Sequence, residues 1–251
     1  MAYPGPLPAG SGRPGKDTLR RPLPVPCEAV DTRPAAERRE ELVALYREMR
    51  DCHDCPLAGS RTNVVFGAGN ADADLMFVGE APGFHEDQQG LPFVGRAGKL
   101  LDELLQEVGL ERGEVWITNV LKCRPPGNRD PQPDEIEVCK PYLYRQIELI
   151  EPKVICTLGN FATKLLTRSS RGIMSVRGTP QMHELGARHV RVYPLCHPAA
   201  ALRTPATLAA LREDIRGLPP LLEEPHPEPP GATPPGGSSP PEPAPQMGLF
   251  A

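Results

Sequence analysis

The apolar residues between positions 37 and 218 follow two alternating periods. Apolar runs predict buried strands near 74–78, 115–121 and 153–158, and an alternating run predicts a fourth strand near 188–195. Segments in which apolar residues recur three and four positions apart predict helices at 37–50, 99–108, 133–150, 160–166 and 207–215. Because strands that alternate with helices favour parallel pairing, we predict an α/β fold with a largely parallel sheet covered on both faces.

Proline marks the two ends of the chain. Of 33 prolines in 251 residues, most lie near the termini. Residues 1–36 combine Pro, Gly and Arg without an apolar period, which predicts a disordered arm. Residues 219–251 are denser still in Pro, Gly and Ser, which predicts an extended, disordered tail. One folded domain, 37–218, is therefore expected between them.

The formal net charge of −4 is spread unevenly along the chain. The body from 37 to 220 carries 23 basic and 25 acidic side chains, which excludes a broadly basic surface. It permits local basic loops that contact phosphate. The candidates are Lys122, Arg124, Arg129, Arg168, Arg171 and Arg177. For the last three, in the loop 167–180, an ordinary solvated loop is the commoner alternative.

The chain opens without a signal peptide, and no apolar run reaches the length of a membrane span. We therefore expect a cytoplasmic protein without a membrane partner. In a reducing compartment, paired cysteines more often bind metal than form disulfides.

Four cysteines are candidate metal ligands. Cys52 and Cys55 form a Cys-x-x-Cys turn, which alone would indicate only a turn or a redox motif. Cys123 follows the second predicted strand, and Cys139 lies in the helical segment after it. Four such thiolates can converge on an iron–sulfur cluster or on zinc, and the spacing does not choose between them. Core packing or exposure accounts for the other cysteines, which are Cys27, Cys156 and Cys196.

The loop that follows the first strand, 79–98, has the composition of a ligand pocket. Its five glycines allow close approach of the backbone to a ligand, and Phe84 and Phe93 offer flat faces. The titratable side chains of this loop are Glu80, His85, Glu86 and Asp87. Since ligands bind at the carboxyl ends of strands in open α/β sheets, we predict a pocket for a flat polar ring.

Polar residues also end two other strands. Asn119 lies at the end of the second strand and His197 follows the fourth, so both are expected at the same sheet edge as Glu80. Each has a plainer interpretation. Asn119 would serve as a helix or turn cap, His197 as a surface loop residue and Glu80 as an exposed carboxylate.

Together, the motifs 79–83 with 86–87, 118–119 with 123–131, and 197–200 resemble the family 4 uracil-DNA glycosylases, the iron–sulfur class. The resemblance covers about 40–217. It implies a three-layer α/β/α sandwich around a central, largely parallel four-stranded sheet. It also implies a [4Fe–4S] cluster rather than zinc, bound by Cys52, Cys55, Cys123 and Cys139.

The resemblance assigns roles in flipping out uracil and cutting its bond to the sugar. Phe93 would stack on the base, Asn119 would read its polar edge, and His197 would donate to O2 of the leaving uracil. Glu86 would exclude the methyl group of thymine. Ala81 occupies the place of a water-activating Asp in better-known relatives, which leaves Glu80 to position the water.

Two further surfaces are predicted to bind partners. Beside His197, Leu202 would enter the DNA as an apolar wedge and Arg203 would contact phosphate. The C-terminal peptide resembles the short Gln-x-x-Leu-Phe motif that binds the bacterial sliding clamp, with a chance apolar end as the alternative. Its residues are Gln246, Met247, Leu249 and Phe250. We expect a monomer, associated with the nucleoid.

Two other functions fit the same residues. A relative with wider base tolerance would also release hypoxanthine or ethenocytosine. A noncatalytic iron–sulfur protein that binds DNA or transfers electrons would bind DNA without releasing uracil.

Overall fold

The computed structural model describes residues 33–227, in which a mixed six-stranded sheet separates two layers of helices. The sheet order is β1-β3-β2-β4-β6-β5. The strands are β1 (Ala68–Gly69), β2 (Leu75–Gly79), β3 (Trp116–Asn119), β4 (Val154–Leu158), β5 (Gln181–Leu185) and β6 (Arg188–Leu195).

The helices occupy the segments between the strands. They are α1 (Ala35–Arg50), α2 (Phe84–Gln89), α3 (Arg96–Glu107), α4 (Pro133–Ile150), α5 (Asn160–Thr167), α6 (Pro198–Ala201), α7 (Pro205–Ile215) and α8 (Leu218–Glu223). Short 3-10 turns lie at Pro56–Gly59, Pro126–Asn128 and Ile173–Ser175.

The four central strands, β3, β2, β4 and β6, pair in parallel as predicted. Two edge strands were not predicted. The strand β1 has only two residues, and β5 alternates between half-buried and exposed positions before a tight turn at Gly186. Both pair antiparallel with their neighbours. The central sheet is thus confirmed, and it is extended by one strand at each edge.

Each face of the sheet buries its own apolar core, which confirms the α/β/α layering. Leu75 and Phe77 of β2 pack on the face covered by α3 and α7, while Met76 and Val78 pack on the opposite face. That opposite face is covered by α1, α4 and α5. Since successive residues of a strand point to opposite faces, continuous burial of β2 places it between the two helical layers.

The folded body differs from its predicted boundaries at both ends. The first helix begins at Ala35, and α8 extends past position 218 because Leu218 and Leu221 are buried against the core. The predicted clamp peptide at 246–250 lies outside the described residues, as does most of the predicted arm. Among the helices described, none combines the length and the apolar character needed to cross a bilayer.

Candidate active site

The tips of β2 and β3 lie side by side at the carboxyl edge of the sheet. Gly79 pairs in register with Asn119. A Cβ atom placed on Gly79 would overlap the side-chain oxygen of Asn119 and lie 2.9 Å from Cζ of Phe93. The Asn119 amide and the Phe93 ring therefore meet over the Gly79 backbone, where only hydrogen leaves room for both.

The Phe93 ring is held against His197. Their ring centroids are 5.8 Å apart and the planes are inclined by 27°. Phe93 itself has a left-handed backbone with φ of 51°, which is uncommon for a residue other than glycine. Gly98 permits this turn, because a Cβ there would overlap the Phe93 carbonyl group. The structure thus brings together Asn119, Phe93 and His197, which the sequence placed on separate segments.

Glu86 supports the loop that carries Phe93. Its Oε1 atom accepts hydrogen bonds from the backbone N–H groups of Val94 and Gly95, at 2.9 and 3.0 Å. The unpredicted helix α2 presents this carboxylate to the loop. The contact with a thymine methyl group stays a prediction, and the interactions described for Glu86 are with the backbone.

His197 is fixed in one tautomer. It caps α6, and its Nδ1 atom accepts a hydrogen bond from the Ala199 N–H at 3.0 Å. Burial disfavours the charged ring and lowers the pKa of His197 to about 4. A neutral imidazole whose Nδ1 accepts must carry its proton on Nε2. His197 is therefore a neutral Nε2–H donor near neutral pH.

Gly159, at the tip of the parallel strand β4, also lies close to His197. It follows β4 with φ of 89°, and a Cβ there would lie 3.1 Å from Cβ of His197. Gly159 was not among the predicted site residues. A glycine directly after a predicted strand and before a helix was the signal for such a close approach.

The buried side chain of Lys122 holds the backbone of Asn119 in place. Its ammonium group donates to the Asn119 carbonyl at 2.8 Å, to Thr118 Oγ1 at 2.5 Å and to Gln146 Oε1 at 2.6 Å. Only 1% of the residue is exposed, and burial lowers its pKa to about 7. The assignment of Lys122 to an exposed basic loop was therefore wrong, because buried acceptors from β3 and α4 surround it.

Glu80 and Ala81 connect the pocket with the cysteines. Glu80 is half-buried, and burial together with the nearby Asp130 raises its pKa. Ala81 packs against the small apolar cluster that contains Cys123. Glu80 thus lies at the tip of β2, and its neighbour Ala81 already contacts the region that contains the cysteines.

The four candidate ligand cysteines are free and lie on neighbouring segments. Cys55 and Cys139 pack against the cluster around Cys123. Arg61 donates to the Cys123 sulfur at 3.4 Å and to the Cys52 carbonyl at 2.7 Å, and the Lys122 N–H donates to the Cys139 sulfur at 3.3 Å. As they stand, no three Cys, His, Asp or Glu side chains within 33–227 are arranged to hold a metal ion.

The residues predicted to contact DNA have different surroundings. Leu202 and Arg203 are both exposed directly after α6, beside His197. Arg177, by contrast, pairs with Glu213 at 2.9 Å and with the buried Asp214. Its guanidinium group is therefore engaged within the protein, which argues against a phosphate contact.

Comparison with known proteins places this chain in a family. Residues 66–216 match the family described as the uracil DNA glycosylase superfamily. The chain is also similar to three proteins named type-4 uracil-DNA glycosylase. The protein of Sulfurisphaera tokodaii is 47% identical over 70% of this chain and 83% of the relative. That of Archaeoglobus fulgidus is 46% identical over 70% and 91%, and that of Thermotoga maritima 48% over 66% and 85%. The chain therefore belongs to the uracil-DNA glycosylase superfamily and, within it, to family 4.

Proposed function

We propose that this protein removes uracil from DNA in base excision repair. It flips the nucleotide out of the strand, hydrolyses the bond between base and sugar, and leaves an abasic site. The observation that carries the proposal is the meeting of Asn119 and Phe93 over the glycine at the tip of β2, with His197 stacked on the Phe93 ring. A flat face, a paired donor and acceptor, and a neutral donor are the groups that a flipped pyrimidine requires.

Asn119 supplies the discrimination between uracil and cytosine. Its amide offers one donor and one acceptor on a rigid group, which match O4 and N3–H of uracil. Cytosine presents the opposite pattern, so buried polar groups would be left unsatisfied at about 1–3 kcal/mol each. The side chain is 2% exposed, and Lys122 fixes the backbone that carries it. The amide is therefore preorganised for one base pattern.

His197 stabilises the leaving group. As the bond to the sugar breaks, negative charge develops on the uracil ring, and the neutral Nε2–H donates to O2. Backbone N–H groups of the turn at 79–83 add further donors. In other enzymes, removing one such donor costs about a hundred- to thousandfold in rate.

The attacking water receives less help than a general-base Asp would give, because Ala81 stands at that position. General-base catalysis is worth about a hundred- to ten-thousandfold. Glu80 orients the water through its half-buried carboxylate. Leaving-group stabilisation then supplies the larger part of the rate.

The cysteines hold a [4Fe–4S] cluster, with Cys52, Cys55, Cys123 and Cys139 as its thiolate ligands. All four thiols are free, three of them pack in one small apolar cluster, and N–H donors are directed at two of the sulfurs, which supports this assignment. When bound, the cluster supplies a covalent link between the end of α1, the loop after β3 and helix α4.

The proposed partners are DNA, through two residues next to α6, and the sliding clamp, through the C-terminal peptide. Leu202 inserts where the base has left, and Arg203 contacts phosphate. The peptide at 246–250 binds the sliding clamp, which would bring the enzyme to chromosomal DNA in the cytoplasm. Its spacing in the sequence supports this part of the proposal.

The test is release of free uracil from a uracil-containing oligonucleotide by the purified, coloured protein. We expect release from uracil substrates and none from matched thymine or cytosine strands. Release of hypoxanthine or ethenocytosine at similar rates would indicate the relative with wider tolerance. DNA binding without release of any base would overturn the proposed function and favour a noncatalytic protein.

A further inference from the structure

One aromatic side chain at the carboxyl edge of the sheet, Phe84, is not explained by packing in the core. Phe84 is 52% exposed, more than any other Phe, Tyr or Trp among residues 33–227. The Arg124 guanidinium carbon lies 5.3 Å from the centre of its ring, and the His85 ring meets it edge-on at 5.5 Å. Arg124 is itself oriented by Asn128, whose side-chain oxygen accepts from Nε at 2.7 Å.

This pair lies at the rim of the candidate active site. Phe84 follows the 79–83 turn directly, and Arg124 comes five residues after Asn119. A Cβ placed on Gly95, in the loop that carries Phe93, would lie 3.7 Å from the ring of His85. Phe84 and Arg124 therefore lie on the two segments that continue directly from β2 and β3, the strands whose tips form the pocket.

The chemistry of the pair matches one kind of ligand. Single strands are bound by aromatic rings, on which unstacked bases lie, combined with cations that follow the backbone. Arginine over an aromatic ring also keeps the ring oriented without covering all of it. Burial does not explain Phe84, because about half of its surface remains open to solvent.

We propose that Phe84 and Arg124 form a subsite for the nucleobase next to the flipped uracil on the same strand. The neighbouring base stacks on the Phe84 ring, and Arg124 neutralises the adjoining phosphate. The subsite rests on the proposed function, since it extends the same DNA strand beyond the uracil pocket. It would make release from unpaired strands depend on the base beside the uracil.

The experiment measures single-turnover uracil release from three single-stranded oligonucleotides. One is intact, and the other two carry a tetrahydrofuran residue in place of the base immediately 5′ or 3′ of uracil. The full-length wild type is compared with Phe84→Ala, with Phe84→Trp and with Met182→Ala. Met182 is a matched control, because it is 55% exposed and lies on the edge strand β5.

We expect the wild type to lose about five- to hundredfold on one of the tetrahydrofuran substrates, the range measured for base–aromatic stacking. Phe84→Ala should lose a similar factor on the intact strand and little more on that tetrahydrofuran substrate. Phe84→Trp should restore the dependence on the neighbouring base, and Met182→Ala should match the wild type.

Two results would overturn the subsite. One is a wild type that releases uracil equally from all three strands. The other is a Phe84→Ala variant in which the missing base lowers the rate of uracil release by the same factor as in the wild type, so that the two effects are independent. A wild type that releases no uracil from any strand would instead overturn the proposed function, and the subsite with it.

Discussion

The absence of a side chain on Gly79 leaves the space in which two side chains of the pocket meet. The sequence placed five glycines in the loop after the first strand, and close approach to a ligand was the general reason given for all of them. The structure gives Gly79 a particular one, because the Asn119 oxygen and the Phe93 ring occupy the space of its missing side chain. Composition does not distinguish Gly79 from its neighbours, since the contacting groups come from remote segments.

Replacing Gly79 by Ala should lower uracil release by about a hundredfold, because small misplacements of positioning groups cost that much. The added methyl group must push aside Asn119 or Phe93. Single-turnover release from a uracil oligonucleotide is the measurement. Gly113→Ala is the matched control, since no atom lies within 4 Å of its Cβ position. Wild-type release by Gly79→Ala would contradict the geometry.

His197 should remain neutral over the working range of pH. Burial disfavours the imidazolium and lowers the pKa to about 4, so acidification should protonate the ring only as the pH approaches 4. Nitrogen NMR of the histidine ring should therefore show protonated Nε2 and unprotonated Nδ1 from pH 5 to pH 8. A titration midpoint near 6.5, or the other tautomer, would contradict the assignment.

At the scale of elements, β2, β3 and β4 were predictable because each is buried on both faces and is therefore mostly apolar. The fourth parallel strand, β6, is only partly buried and was predictable from its alternating pattern. The edge strands were not, since β1 is two residues long and β5 carries polar side chains. Helix α2 was hidden in a glycine-rich loop, where its polar residues show no apolar face. Periodicity detects burial, and these elements are only partly buried.

Lys122 illustrates a second limit. A lysine after a strand, two residues before an arginine and two prolines, indicates an exposed basic loop. Here its acceptors come from Thr118, Asn119 and Gln146, and the last of these lies 24 residues further along the chain. A buried charge with partners on separate elements leaves no local pattern in the sequence.

The cysteine assignment is tested by Cys123→Ala. Loss of one of four thiolates should remove bound iron and the brown colour, and should lower the melting temperature because three segments lose their link. The measurements are iron content and visible absorbance. Cys156→Ala is the control, because Cys156 is buried within β4 among core residues. A Cys123→Ala variant with its full iron content would refute the ligand set.

For the whole molecule, the specific combination of motifs predicted family and fold correctly, whereas periodicity and composition alone predicted only an α/β domain between disordered ends. The C-terminal boundary was misplaced because the prolines at 219 and 220 belong to the first turn of α8, where proline is tolerated. Proline content therefore indicated disorder in a segment whose leucines are buried.

The terminal peptide is tested by deleting residues 246–251. Affinity for the sliding clamp should fall, because the bulky apolar residues at the tip are removed, while uracil release from short oligonucleotides should stay unchanged. Binding to purified clamp is the measurement. The double variant Leu249→Ala, Phe250→Ala should behave like the deletion. Unchanged clamp binding by both variants would show that the peptide does not bind the clamp.

The central claim is that Asn119, Phe93 and His197 form one pocket around an extruded uracil. Its most direct test is uracil release by Asn119→Ala beside the wild type, with iron content and DNA binding measured in both. We predict a loss of about thirty- to twenty-five-thousandfold, corresponding to two unsatisfied hydrogen bonds of about 1–3 kcal/mol each, with iron and DNA binding retained. Release by Asn119→Ala at the wild-type rate would contradict the account.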